Sequence, residues 1–287
     1  RDLRTSRGLG DVYKRQGAFK EVAENDQALQ CAIQRYQPDP SAMAWSIELV
    51  QRWIALRQTP VNDKRIALVL ANYPTRNARL ANGVGLDTPA SAVAILRWLQ
   101  EEGYWLGNQP LPATSEELIR QLSSGRTPDP ETWHHQASEH LALADYRQAW
   151  KDLPNNAKQA MVERWGEPSS DPTIDGDCFP LSATRYGNIT LILQPSRGYD
   201  RDPSLNYHAP DLAPTHSYLA HYIWIREQFH AHAVIHLGKH GNLEWLPGKG
   251  MGQSPACFPQ LCLGAMPHLY PFIVNDPGEG SQAKRRS

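Results

Sequence analysis

"NITLILQPSRGYDRDPSLNYHAPDLAPTHSYLAHYIWIREQFHAHAVIHL", residues 188 to 237, sets two short apolar runs on either side of a segment with helical spacing. NITLILQ (188–194) predicts a buried strand, HSYLAHYIWIREQFH (216–230) a helix and AVIHL (233–237) a second strand. Strand, helix and strand in that order make a βαβ unit, whose two strands run parallel. Upstream, RIALVLAN (65–72) predicts another buried strand, joined by the polar loop YPTRNARLANGVGLDTP to the helix ASAVAILRWLQEEGY, with Pro89 near its first turn. Downstream, GQSPACFPQLCLG predicts a short, proline-interrupted helix and LYPFIVND (269–276) a strand. The expected fold class is α/β, with parallel-sheet βαβ units and a helical insertion.

The insertion covers 113–168, where TSEEL offers a capping box from Thr114 to Glu117 and LALADYRQAW and AKQAMVERW read as helices. Its His134, His135 and His140 read as surface or capping residues, and 166–180, rich in Pro, Gly, Ser and Asp, as a linker. Residues 17–60 read as a helical segment: Met43, Trp45, Ile47, Leu49, Val50, Trp53 and Ile54 recur near helical spacing, predicting a core-facing helix that ends before Pro60. The first α/β segment is then 61–112 and the second 169–287. The opening RDLRTSRGLGDVYKRQ carries five basic residues without an apolar core, so 1–16 reads as a non-native tail. The closing GEGSQAKRRS stops abruptly, and the chain reads as a fragment of a larger multidomain protein.

The 287 residues carry 29 basic and 30 acidic side chains, a formal net charge of -1, which gathers neither nucleic acid nor an anionic membrane. The longest apolar run, Ile66 to Ala71, is far short of the ~20 residues that span a bilayer. Cys31, Cys178, Cys257 and Cys262 are scattered without CxxC spacing, and a reducing cytoplasm is the simplest fit.

In an open parallel sheet, ligands bind outside the carboxyl ends of the strands. The loops leaving the expected strands, YPTRNARLANGVGLD, PSRGYDRDPSLNYH, GKHGNLEWLPGKG and PGEGSQAKRR, are the most polar and glycine-rich in the chain. Eight of the eleven histidines fall between His208 and His268, a clustering that favours a site. On the strand 233–237, His230, His232, Val234 and His236 would share one face, and only His236 would reach the crevice, with His240 and Glu244 following.

Three readings of His236, His240 and Glu244 stay open. A zinc site on a helix would use the H-x3-H-x3-E spacing, but HExxH is absent and Gly238 and Gly241 each weaken a helix by roughly 1 kcal/mol. A hydrogen-bonded polar turn is the plain alternative. A transient metal or proton-transfer site is the third, since imidazole and carboxylate both bind divalent transition metals and accept protons. A phosphate loop fails, because Gly248-Lys249 is followed by Gly250 and Leu243 stands where its first glycine belongs. Arg197, Arg201, Lys239 and Lys249 either pair with ligand carboxylates or form a solvated rim, and Trp245 either stacks on a flat ligand or fills core.

HLGKHGNLEWLPGKG (236–250), with QPSRGYDRDPS (194–204) before it, NDPGEGSQAKRRS (275–287) after it and LANYPTRNARLANGVGLDTPASAV (70–93) upstream, closely resembles the large, CobN-type subunit family of aerobic cobaltochelatase, relatives of the H-type component of magnesium chelatase. The resemblance runs from about residue 60 to the end, through four motifs in one order. Lys239 resembles the cobalt branch, whereas the magnesium branch generally has Thr or another residue there. One departure is Pro-Thr-His at 214–216, where Pro-Pro-His is expected.

The resemblance implies insertion of Co2+ into hydrogenobyrinic acid a,c-diamide in cobalamin biosynthesis. ATP with Mg2+ would be used by two AAA+ partner subunits (CobS and CobT like), in the cytoplasm, with no nucleic acid or membrane partner. It implies His236 and His240 as transient Co2+ ligands or proton acceptors, Glu244 as general base and metal partner, and Arg197, Arg201, Lys239, Lys249, His216 and Trp245 as ring-binding residues. The alternatives are an H-type magnesium chelatase component inserting Mg2+ into protoporphyrin IX, or a non-catalytic tetrapyrrole or metal-binding module.

Overall fold

The computed structural model describes residues 18–26, 28, 30–72, 77, 80–81, 83, 85–201, 209, 211–238, 241–249 and 253–271. The expected tail 1–16, Lys239, His240, most of LYPFIVND and all of NDPGEGSQAKRRS lie outside them.

In chain order the elements are β1 (Ala18–Asp26), β2 (Cys31–Pro38), α1 (Pro40–Gln58), β3 (Ile66–Leu70), α2 (Thr88–Glu101), α3 (Ser115–Ser124), β4 (Glu139–Ala142), α4 (Leu143–Lys151), α5 (Asn155–Trp165), β5 (Cys178–Leu181), β6 (Ala183–Tyr186), β7 (Ile189–Leu193), α6 (His216–Glu227), β8 (Ala233–Leu237), α7 (Phe258–Leu263) and β9 (His268–Leu269). Five strands form one sheet in the order β6-β7-β3-β8-β9. β7, β3, β8 and β9 run parallel and only the edge strand β6 runs antiparallel. The α/β expectation therefore holds, with a mixed, mostly parallel sheet.

Every residue of β3 and β7 is buried, as befits parallel strands covered on both faces. Alternation sorts them. Ala67, Val69, Ile192 and Val234 pack with α6 and the antiparallel β4/β5 pair on one face; Ile66, Leu68, Leu70, Leu191 and Leu193 pack with α2 and α3 on the other. α6 carries ten buried residues, from His216 to Ile225, so it is enclosed nearly all round. Each large apolar side chain it buries is worth about 1.5–3 kcal/mol, which anchors α6 against the sheet. Thr215, the departure in the Pro-Thr-His triplet, caps this helix by accepting from the Tyr218 N–H at 3.1 Å, a bond proline could not make.

Several sequence expectations need correction. The segment 17–60 opens with the antiparallel β1/β2 hairpin, and α1 has no buried residue: Ile47 is 53% and Val50 57% exposed. Helical spacing specifies a face but not what covers it. The stretch expected to be purely helical contains β4, and the expected linker contains β5, its antiparallel partner. The linker also buries Asp171. His230 lies outside β8 with φ 53°, while His232 caps the strand's entry by accepting the Arg65 N–H at 2.9 Å. Of the box from Thr114 to Glu117 one half forms, with the Glu117 N–H donating to Thr114 Oγ1 at 3.2 Å, whereas the Glu117 carboxylate accepts from the Ala113 N–H at 2.9 Å.

Candidate functional site

The carboxyl ends of β7, β3, β8 and β9 lie side by side, which brings Gln194, Asn72, His236, Gly241, Glu244 and Tyr270 to one edge. Register fixes the arrangement. Val69 pairs with both Ile192 and His236, so Gln194, two residues beyond Ile192, projects to the same face of the sheet as His236. Gly238, at φ 131°, crosses tightly over β3; a side chain there would overlap the Ala71 Cβ.

His236 reaches this edge from β8 but is 2% exposed. One ring nitrogen, Nε2, meets the Tyr222 hydroxyl at 2.9 Å, and the other, Nδ1, meets His268 Nε2 at 2.7 Å. Burial, with the neighbouring His268, pushes its pKa well below the ordinary value, so the ring is neutral. Its expected place as an open metal ligand is not what the geometry provides, because both nitrogens are already engaged. It ties α6 to β9.

Glu244 sits half-buried on the 3-10 turn Leu243–Trp245. The Tyr270 hydroxyl donates to its Oε1 at 3.0 Å and accepts from the Gly241 N–H. Burial and the Glu244 charge both drive the Tyr270 pKa upward, so the phenol stays protonated as the donor. The second carboxylate oxygen turns towards Gly241. A methyl group built on Gly241 would lie 3.3 Å from Glu244 Oε2 and 3.5 Å from both Gln194 Oε1 and the Tyr270 hydroxyl. Three oxygens from three loops thus surround one point.

The cations expected on a rim divide by burial. Arg197 is 0% exposed and donates to the Trp245 carbonyl at 2.7 Å and the Ala209 carbonyl at 2.8 Å, binding the β7 loop to the β8 loop from inside. Arg201 pairs with Asp171 at 3.3 Å and donates to Ser217 Oγ at the same distance. Burial raises the Asp171 carboxyl, but Arg201 and the bonds from Thr173 hold it below its ordinary value. Lys249 is exposed. His216 is interior, with Nδ1 against the Tyr146 hydroxyl at 2.8 Å and Nε2 donating to the Gly166 carbonyl at 2.9 Å. Trp245 is 6% exposed, which is the core alternative left open for it. Of the surface histidines expected in the insertion, His134 and His140 are exposed and His135 contacts the Gly125 carbonyl.

Among the described residues no three His, Cys, Asp or Glu side chains gather as a metal centre. No helix among them is long and apolar enough to cross a membrane. The structure adds Gln194, Tyr222, His268 and Tyr270 to the edge. A glutamine, a tyrosine and a histidine near strand ends and a second tyrosine within α6 carry no spacing signature, so sequence reasoning missed them; only Gln194, first letter of the QPSRGYD motif, belongs to a recognisable pattern.

The CobN/Magnesium Chelatase family matches residues 10–287. The aerobic cobaltochelatase subunit CobN of Pseudomonas aeruginosa is 48% identical over 279 residues, 97% of this chain and 22% of that protein. A solved structure, the catalytic subunit of cobaltochelatase from Mycobacterium tuberculosis, aligns with a TM-score of 0.76 at 41% identity, covering 93% of this chain and 22% of that one. The H-type component of magnesium chelatase from Chlorobaculum parvum is 34% identical over 240 residues, 83% of this chain and 18% of that protein. The chain therefore spans about a fifth of the length of the cobaltochelatase subunits it matches. The solved cobaltochelatase subunit shares the fold of this chain, and the chain belongs to the CobN/magnesium chelatase family.

Proposed function

We propose that this chain carries part of the tetrapyrrole-binding site of an ATP-dependent cobaltochelatase, with Glu244 as the base that accepts ring protons while Co2+ enters. The observation that supports this most directly is the Glu244 carboxylate itself: one oxygen is braced by Tyr270 and the other faces Gly241 at the carboxyl edge of the sheet. Higher identity to the cobalt subunit than to the magnesium one, together with Lys239, favours cobalt and hydrogenobyrinic acid a,c-diamide over Mg2+ and protoporphyrin IX.

Insertion of a divalent ion releases two ring N–H protons and strips water from the ion. A carboxylate takes up the protons in turn and passes them to solvent, and its charge also favours the incoming cation. His240, which lies outside the described residues, is the proposed transient ligand. His236 supports from below, since both its ring nitrogens are held. Lys249, Arg201 and Lys239 orient the acetate and propionate groups of the ring, while Arg197, His216 and Trp245 keep the loops in place. ATP with Mg2+ is consumed by two AAA+ partner subunits in the cytoplasm.

The test is Glu244→Gln in the full-length protein. Ring binding by absorbance titration is expected to persist while chelation falls by about 100-fold or more, the range for loss of a general base. Unchanged turnover overturns the assignment.

A further inference from the structure

Gln194 stands one residue beyond β7, and its backbone N–H donates to the Leu70 carbonyl at 3.0 Å, so the sheet ladder fixes where its side chain emerges. The residue is 1% exposed, yet neither Oε1 nor Nε2 has a hydrogen-bond partner. Leaving both ends of an amide buried and unpaired is costly, and native proteins do so where something else completes the bonds. The amide oxygen points to the same spot above Gly241 as Glu244 Oε2 and the Tyr270 hydroxyl. Glycine at 241 leaves that spot clear.

The donor set is all oxygen, with one carboxylate, one carboxamide and one phenol. Such a set suits a divalent cation that arrives with its water, since acceptor oxygens take the hydrogens of the bound waters. A carboxamide both accepts and donates, and keeps both functions at any pH.

We propose that Gln194 binds the metal substrate: its carboxamide takes a water of the hydrated divalent cation at the point above Gly241, while Glu244 faces the ion. This rests on the chelatase reading and adds a residue that recognises the ion before the ring receives it. The ring is held elsewhere, so the two substrates respond to different residues.

The experiment uses the full-length protein with its ATPase partners, varying Co2+ and ring concentrations separately, and a calorimetric Co2+ titration without ring or ATP. Gln194→Leu keeps volume and removes both polar ends. The expected result is an apparent KM and Kd for Co2+ raised about tenfold or more, the worth of one charge-assisted hydrogen bond, with the ring KM unmoved. Gln194→Glu, which retains the oxygen, restores tight Co2+ binding. Gly241→Ala fills the point without touching the amide and weakens Co2+ binding in the same way, which keeps the proposal testable if the Leu variant misfolds by circular dichroism. Unchanged Co2+ affinity in folded Gln194→Leu overturns the proposal and leaves Gln194 holding only a structural water. That failure is separate from failure of the chelatase reading, which shows as no Co2+ insertion by the parent protein with its partners; the calorimetric Kd reports on Gln194 in either event.

Discussion

Tyr270 joins Gly241 to Glu244: its hydroxyl accepts the Gly241 N–H and donates, at 3.0 Å, to Glu244 Oε1. A phenol one residue beyond β9 thus sets both the loop backbone and the carboxylate that the loop presents. Tyr270→Phe removes both bonds with little loss of volume. Chelation in the full-length enzyme is expected to fall about tenfold through kcat, the effect of one lost bond to a charged group, while ring affinity by absorbance titration stays put. A change confined to ring KM would place Tyr270 with the ring instead.

Arg197 is a cation spent on carbonyls. Because it spans the Trp245 and Ala209 carbonyls, Arg197→Lys keeps the charge but loses the fork that meets both. Stability measured by urea unfolding is expected to drop by about 1–3 kcal/mol, the cost of a buried polar group left unpaired. If Arg197 were instead a ring clamp, lysine would preserve stability and alter only ring affinity.

How much of this was legible in the sequence depends on where each structure is specified. β3, β7 and β8 are short, continuous apolar runs, and their own composition names them as buried strands. β4 and β5 are specified by each other across the 35 residues from 143 to 177, and one contains His140 and the other Pro180, so neither window reads as a strand alone. The site divides similarly. Glu244 and the crevice followed from motif and topology, whereas the engaged nitrogens of His236 depend on partners from α6 and β9, and the unpaired amide of Gln194 on what the neighbouring loops leave around it. α1 shows the converse: its apolar spacing is plain, and its burial is not.

The Tyr222–His236–His268 chain predicts strong coupling. Tyr222→Phe leaves His236 Nε2 without its hydroxyl, and His236→Leu leaves both Tyr222 and His268 short of a partner. Each single change is expected to cost about 1–3 kcal/mol in urea unfolding. The double change costs less than the sum, because the second removes a group the first had already orphaned. Strict additivity would mean that the bonds contribute nothing to the folded state.

Acid reaches the core of the fold through α6. His221 is 5% exposed on that helix; its Nδ1 lies 2.7 Å from the Ser217 carbonyl and Nε2 accepts the Ser182 N–H at 3.3 Å. Protonation would place a second donor against Ser182, and burial opposes the charge, so the pKa is pushed down from 6.5 to about 4, with the Ser217 carbonyl and Asp171 resisting. In the unfolded chain the imidazole takes its proton near pH 6.5, so between that pH and about 4 the unfolded state binds more protons than the folded one. Stability is therefore complete above 6.5 and declines as pH falls through this window, by at most about 3 kcal/mol from this residue. His216, His236 and His268 are depressed by burial as well and act in the same direction. Urea midpoints taken from pH 7 to pH 4 are expected to fall steadily, and His221→Gln, which can still donate to the carbonyl, reduces the slope. A flat profile in the parent protein, or an equal slope in the variant, would show that His221 does not carry this acid sensitivity.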